Sequence, residues 1–221
     1  MQIKKIATIH NDYKDKFGIP RQSGLDDIVS RIVLEPDYRK SGILKGIAEF
    51  DYLWLIWGFH LTGASDSPTV RPPRLGGNIR VGVFATRSPY RPNPLGLSSV
   101  RLLSVEQSAN EGEVLIVSGA DMIDGTPIYD IKPYIEYSDS HVNVRSGFAE
   151  QKFGAKLNVH IPDDQKSILQ PDELNRLEKL LSEDPRPAYQ DDPERIYGFS
   201  FCEKEVRFRV IGDELTVISI E

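Results

Sequence analysis

Residues 80–105 read RVGVFATRSPYRPNPLGLSSVRLLSV. Two strand-like runs, Arg80–Ala85 and Leu97–Val105, flank a segment that holds Pro89, Pro92 and Pro94. Proline fixes φ and lacks a backbone donor, so that segment is neither helix interior nor central strand. The stretch therefore reads as strand, stiff irregular loop, strand. Arg87 and Arg91 sit on the stiff part, which makes it a surface suited to holding an anion.

The same rhythm runs through the N-terminal part of the chain. Ile3–Ile9 and Ser30–Leu34 read as strands, the second stopped by Pro36. Tyr52–Phe59 (YLWLIWGF) is apolar on both faces, and periodicity leaves buried strand and short buried helix both open. Phe17–Gly24 (FGIPRQSG) and Thr69–Gly77 read as loops. Glu113–Ser118 (EVLIVS) is a strand entered through a hairpin turn at Asn110–Gly112. Asp124–Pro127 (DGTP) is a turn, and Tyr129–Tyr137 resumes an extended path interrupted by Pro133. Many short strands between turns predict a small β-barrel.

The tail is different. Gln170–Ser182 has Leu174, Leu177, Leu180 and Leu181 on one helical face, with Pro171, Asp172 and Glu173 at its start. A polar linker, RPAYQDDPER, follows. Glu205–Val210 (EVRFRV) and Leu215–Ile220 (LTVISI) then make a β-hairpin pattern. The expected architecture is mainly β: an N-terminal small β-barrel domain, residues 1–162, and a smaller C-terminal α+β domain, 163–221.

The chain has 221 residues and a net charge of −6. The longest apolar stretch, Tyr52–Phe59, is too short to span a membrane as a helix, and the N-terminus lacks the apolar region of a signal peptide. A cytoplasmic protein is expected. Cys202 is the single cysteine and the four histidines lie far apart, so no metal site is expected. The charge is segregated. From Ser67 to Val105 there is no Asp, Glu or Lys, and six arginines (Arg71, Arg74, Arg80, Arg87, Arg91, Arg101) give the window +6, leaving −12 for the rest. Arginine alone favours bidentate grip on phosphate or carboxylate. Solvated arginines scattered over several faces are the plainer alternative.

Elimination narrows the chemistry. There is no G-x-S-x-G elbow, no Walker A motif, and Gly76-Gly77 does not fit a dinucleotide fingerprint. Three polar loops remain: PRQ (20–22), TRSPYRPNP (86–94) and DGTPIYDIKPY (124–134). DGTP is by itself an ordinary turn, His60 an ordinary core histidine, and Trp54 and Trp57 ordinary packing residues. The proline–arginine loop has no such plain explanation.

GVFATRSPYRPNPLGLS (82–98) with DGTPIYDIKPY resembles the TsaA-like, or YaeB (TrmO), family. PRQ, the FH that closes YLWLIWGFH, and DPRPAYQ (184–190) with RIYGF (195–199) are similar to it too. The resemblance implies a β-barrel methyltransferase that uses S-adenosylmethionine and acts as a homodimer, with the cofactor near the subunit interface. It also implies a tRNA partner, engaged at the anticodon stem-loop, and methylation of the exocyclic nitrogen of N6-threonylcarbamoyladenosine. It places the cofactor on Pro20, Arg21, Gln22, His60, Leu61, Arg87, Leu97, Asp124, Gly125, Thr126 and Pro127. Within that set, Arg21 or Arg87 suits the cofactor carboxylate and Asp124 its ribose diol. The substrate nitrogen must lose a proton, for which Asp130 or Tyr134 is the candidate base, with Lys132 beside them. Arg91 or Lys132 suits the threonyl carboxylate. A non-catalytic RNA-binding adaptor, and a methyltransferase for another nucleoside or small substrate, stay open as alternatives.

Overall fold

The computed structural model describes residues 2–221 except 15–18, 21, 25–27, 73, 74, 76, 77, 153–155 and 187–191. Arg21 and Arg74 thus lie outside the described residues. The chain divides into two units. The first comprises residues 1–11, 21–70 and 81–144; the second comprises 12–20, 71–80 and 145–221.

The first unit is a closed barrel. Its strands are β1 (Ala7–His10), β2 (Val29–Leu34), β3 (Tyr52–Gly58), β6 (Leu95–Ser108), β7 (Gly112–Ser118) and β8 (Pro127–Pro133); a short ribbon, β4 (Thr69–Val70) with β5 (Val81–Gly82), precedes β6. The closed order is β1-β2-β7-β6-β3-β8, with every pairing antiparallel. Alternate residues turn inward: Ala7 and Ile9, Ile32 and Leu34, Leu53, Leu55 and Trp57, Leu115 and Val117. Burying each large aliphatic among them contributes about 1.5–3 kcal/mol. YLWLIWGF is thereby a strand, paired on both sides.

β6 is the longest strand because it meets its two neighbours one after the other along its length. Leu95–Arg101 pairs with β3, and Arg101–Ser108 pairs with β7, with Leu103 an extra residue within that register. Closure needs such a bend.

Two extended expectations are corrected. Only Val81–Gly82 of the run 80–85 is strand; Val83–Ala85 forms a single 3-10 turn, because the chain must bend into the proline-rich loop. Extended structure after the DGTP turn ends at Pro133, and Glu136–Asp139 forms a short helix, α1. Asp139 draws the chain round there, accepting from Ile135 N at 3.0 Å and from Trp54 Nε1 at 2.8 Å.

The second unit has its own core. A sheet in the order β10 (Tyr197–Phe201), β11 (Lys204–Ile211), β12 (Glu214–Ile220), β9 (Asn158–His160) packs Phe199, Phe208 and Val217 with Leu177, Leu180 and Leu181. Those leucines come from α3 (Pro171–Ser182), which follows a one-turn helix, α2 (Asp163–Lys166). The expected helix and hairpin are both present, and β9 adds a parallel edge to β12. No helix among the described residues is long and apolar enough to cross a membrane.

Candidate functional site

The DGTP turn is fixed by the strand it follows in space. Ile9 N donates to Thr126 O at 3.1 Å, and Gly125 N donates back to Ile9 O at 2.9 Å. Asp124 Oδ1 accepts from Asn11 N at 3.1 Å and lies 3.3 Å from His10 Nδ1. Thr126 is buried, and its Oγ1 donates to Ile123 O at 2.7 Å. Its side chain locks the turn. Gly125 adopts φ +77, a conformation that favours glycine, and a Cβ there would meet nothing within 4 Å. The outer side of this turn is open, with a carboxylate at one corner.

The proline–arginine loop satisfies its own backbone. Thr86 Oγ1 donates to Val83 O at 2.8 Å and accepts from Ser88 N at 3.2 Å; Ser88 Oγ accepts from Tyr90 N at 3.2 Å. Arg91 Nη2 donates to Thr86 O at 3.2 Å and to Val83 O at 3.4 Å. Its guanidinium thus holds the loop in shape. Arg87 differs. It is exposed and donates to Gln22 Oε1, which joins the TRSP segment to the end of the PRQ segment. Adjacent motif arginines therefore do different work, one internal and one facing outward.

His60 and Leu61 follow the end of β3 and are exposed, so His60 is not a core histidine. Leu97, near the start of β6, is also exposed. Pro20 belongs to the second unit, and Arg21 lies outside the described residues. Of the remaining arginines in the acid-free window, Arg101 is in the first unit, and Arg71 and Arg80 are in the second.

Asp130, Lys132 and Tyr134 share one side of the path leaving the turn. Across β3 and β8 the register steps from Asp130 opposite Ile56 to Ile128 opposite Trp57, leaving Tyr129 as an extra residue. That bulge switches the alternation: Ile128 and Ile131 both pack with the core. Lys132 Nζ is 3.2 Å from Asp130 Oδ2, and the Tyr134 ring lies 5.6 Å from Trp54 and 6.2 Å from Tyr52.

Sequence reasoning missed Asp121 and Ser98. Ser98 Oγ donates to Asp121 Oδ1 at 2.5 Å and accepts from Trp57 Nε1 at 2.9 Å. Burial raises the Asp121 carboxyl above its ordinary range, opposed by Ser98, by Ser23 N–H and by the charge of Arg87. Position 121 carries no motif signal of its own. The only clue was an acid inside an otherwise apolar GADMI run.

Together the first unit offers an outward guanidinium, a carboxylate at an open turn and the exposed apolar side chains of Leu61 and Leu97. That donor set fits an amino-acid carboxylate, a ribose hydroxyl and the apolar faces of a nucleoside sulfonium such as S-adenosylmethionine. Among the described residues, no group of three or more His, Cys, Asp or Glu could hold a metal ion.

Comparison with known proteins gives matches over nearly the whole chain. The sequence pattern of the tRNA-methyltransferase O N-terminal domain matches residues 8–140, and that of the TrmO C-terminal domain matches 154–221. The chain is 36% identical over 230 residues to a tRNA (adenine(37)-N6)-methyltransferase of Escherichia coli K12, covering 100% of this chain and 97% of that protein. It is 36% identical over 217 residues to a putative S-adenosylmethionine-dependent methyltransferase, RcsF, of Pseudomonas aeruginosa, covering 93% and 91%. The crystal structure of TrmO from Pseudomonas aeruginosa superposes with a TM-score of 0.77 at 29% identity, covering 100% of this chain and 98% of that one.

Proposed function

Since the chain belongs to the tRNA-methyltransferase O family, we propose that it methylates the exocyclic nitrogen of adenosine 37 in tRNA, when that base carries an N6-threonylcarbamoyl group. The observation that carries this reading is the bond that joins two motif loops, Arg87 to Gln22, on the same unit that presents the Asp124–Pro127 turn.

Bound S-adenosylmethionine supplies an electrophilic methyl group on a sulfonium. The chain's part is alignment, which can provide most of the rate for an in-line displacement. Arg87 holds the amino-acid carboxylate as a charge-assisted fork. Asp124, whose Oδ1 accepts from Asn11 N, would offer its carboxylate to a ribose hydroxyl. Gly125, lacking a side chain, lets the ligand approach the turn. Leu61 and Leu97 would cover the apolar faces, with Gln22 and His60 on the same unit.

The acceptor nitrogen is of urea type and gives up its hydrogen as the new bond forms. Asp130 or Tyr134 takes that proton. Lys132, beside Asp130, meets the threonyl carboxylate. Arg91 keeps the loop in place while this happens. The other arginines of the acid-free window grip the RNA backbone, so binding weakens steeply with salt. The domain at 154–221 adds a second hold on the anticodon arm. The active form is a homodimer, with Phe84 and Tyr90 among its exposed apolar side chains. tRNA places this work in the cytoplasm.

The test uses methyl-labelled S-adenosylmethionine with two tRNAs, one threonylcarbamoylated at adenosine 37 and one bare. Label in the modified tRNA alone is expected. Equal label in both would make plain adenosine the substrate. Label in neither, with S-adenosylmethionine still bound in calorimetry, would favour a methyltransferase for another nucleoside. No binding of the cofactor at all would leave an RNA adaptor. Of Asp130→Asn and Tyr134→Phe, the variant that removes the base should lower kcat without changing cofactor affinity.

A further inference from the structure

The outer face of three barrel strands carries aromatic rings where a solvated sheet face normally carries polar residues. Leu53, Leu55 and Trp57 point into the core, so Tyr52, Trp54 and Ile56 of β3 point out. The register sets them in rows with β6 and β8. Tyr52 stands opposite Arg101, and on its other side Tyr134 N donates to Tyr52 O at 2.9 Å. Trp54 stands between Ser99 and Lys132, and Ile56 between Leu97 and Asp130. The Tyr134 ring lies 6.2 Å from Tyr52 and 5.6 Å from Trp54, so the three rings form one patch. All of these residues belong to the first unit.

Tyr52 is 44% exposed and Trp54 is half-buried. The indole is not free to turn, because its Nε1 donates to Asp139 Oδ2 at 2.8 Å, and the same oxygen accepts from Ile135 N at 3.0 Å. A ring held in one orientation gives up little entropy when another ring stacks on it. Cations stand beside the patch: Arg101 in the row of Tyr52, Lys132 in the row of Trp54. The acid of the next row, Asp130, is paired with Lys132 at 3.2 Å. Aromatic rings flanked by cations suit an unpaired nucleotide, whose base stacks on the rings while its phosphate meets the guanidinium. Two rows, about 14 Å at strand spacing, separate Tyr52 from Ile56 and Leu97. With Leu97 at the cofactor, the base that takes the methyl group lies at that end. The Tyr52 end is left for its neighbour in the RNA strand.

We infer that Tyr52, Trp54 and Tyr134, with Arg101 at their edge, form a stacking platform for an unpaired RNA base next to the one that is methylated. This rests on the tRNA reading proposed above.

The probe is a fluorescently labelled anticodon stem-loop RNA, threonylcarbamoylated at adenosine 37, with two counterparts that lack the base on its 5′ or its 3′ side. Tyr52→Ala should weaken binding of the intact RNA about tenfold. One of the abasic RNAs should bind the unaltered protein about tenfold more weakly, and Tyr52→Ala should cost that RNA nothing further. Tyr52→Phe, which keeps the ring, should bind the intact RNA as the unaltered protein does. Affinity for S-adenosylmethionine should not change in either variant. Tyr52→Leu, with apolar bulk but no π face, carries the test if Tyr52→Ala does not fold.

Unchanged RNA affinity in Tyr52→Ala overturns the inference. So does a loss that is equal on the intact RNA and on both abasic ones, since no base flanking adenosine 37 then rests on Tyr52. A change of oligomeric state in Tyr52→Ala, seen by light scattering, overturns it as well, because a second copy of the chain would then be what covers this face. The unaltered protein tests the tRNA reading separately. If it binds none of the three RNAs, that reading fails and this inference falls with it; if it binds and methylates the intact RNA while Tyr52→Ala is silent, this inference fails alone.

Discussion

Trp57 and Gly96 stand opposite each other across β3 and β6, and a Cβ built on Gly96 would lie 2.2 Å from Trp57 Cε2. The indole therefore lies directly against backbone. Phe59 packs on it at 4.3 Å between centroids, and Ser98 fixes its Nε1. Gly96→Ala should push the ring out of place, with a loss of about 1–3 kcal/mol. Urea denaturation followed by tryptophan emission measures it. An unchanged midpoint would show that the ring has room to move.

Glu35 is expected to tie the N-terminal segment to β2 in a pH-dependent way. Lys5 Nζ is 2.7 Å from its carboxylate, and Thr8 Oγ1 donates to it at 3.0 Å. Lys5 holds this carboxyl below its ordinary value of 4.5, burial opposing and Thr8 assisting. Because the folded value is the lower one, the stabilisation is complete above pH 4.5 and disappears as pH falls through the folded value. Glu35→Gln should cost less than about 1 kcal/mol at neutral pH, as for a largely solvated pair. The gap between the two proteins should close in acid; a constant gap from pH 7 to pH 3 would refute the assignment.

Asp121 has the opposite sign. Its folded value is raised, so the folded state binds the proton more tightly, and charged Asp121 weighs against folding at neutral pH. Asp121→Asn should be at least as stable as the unaltered protein at pH 7. That advantage should shrink as pH falls through the raised value of the carboxyl. Thermal melts across pH 4–8 check this, and a less stable variant at pH 7 would contradict it.

Cys202 should be a slow nucleophile. Burial pushes its thiol up to about 11, only partly offset by the charge of Arg176, so little thiolate exists at neutral pH. Arg176 Nη2 lies 3.4 Å from its Sγ. Labelling with a thiol-reactive disulfide should be far slower in the folded protein than in urea. Equal rates would show that the thiol is more accessible and more acidic than this site implies.

The tail was legible because its signals are local. Val206, Phe208 and Val210 alternate into the core of β11 as the spacing implies, and α3 begins at Pro171 with Glu173 accepting from Gln170 N at 2.9 Å. β9 was not legible: three residues, Asn158–His160, pair in parallel with residues 214–216 far along the chain. For YLWLIWGF, two strand partners decide what periodicity left open. In the site, the motif loops were visible as motifs, but the division between Arg87 and Arg91 was not. It depends on which carbonyls lie within reach of Arg91, and those are set by the turn at Val83–Ala85. Asp121 and Ser98 were hidden because each gains its meaning only when the closed barrel brings β6 beside residues 119–127.

Arg91 Nη2 reaches Val83 O, eight residues back, and Thr86 O, five back, so the segment between is cinched by a side chain with no covalent link. A noose of that kind separates the tip of the loop from its frame. Tyr90, exposed at the tip, can be exchanged for other residues while the frame keeps its course. The loop is thus a natural place to graft new recognition onto this barrel, provided the arginine that draws the knot is left in place.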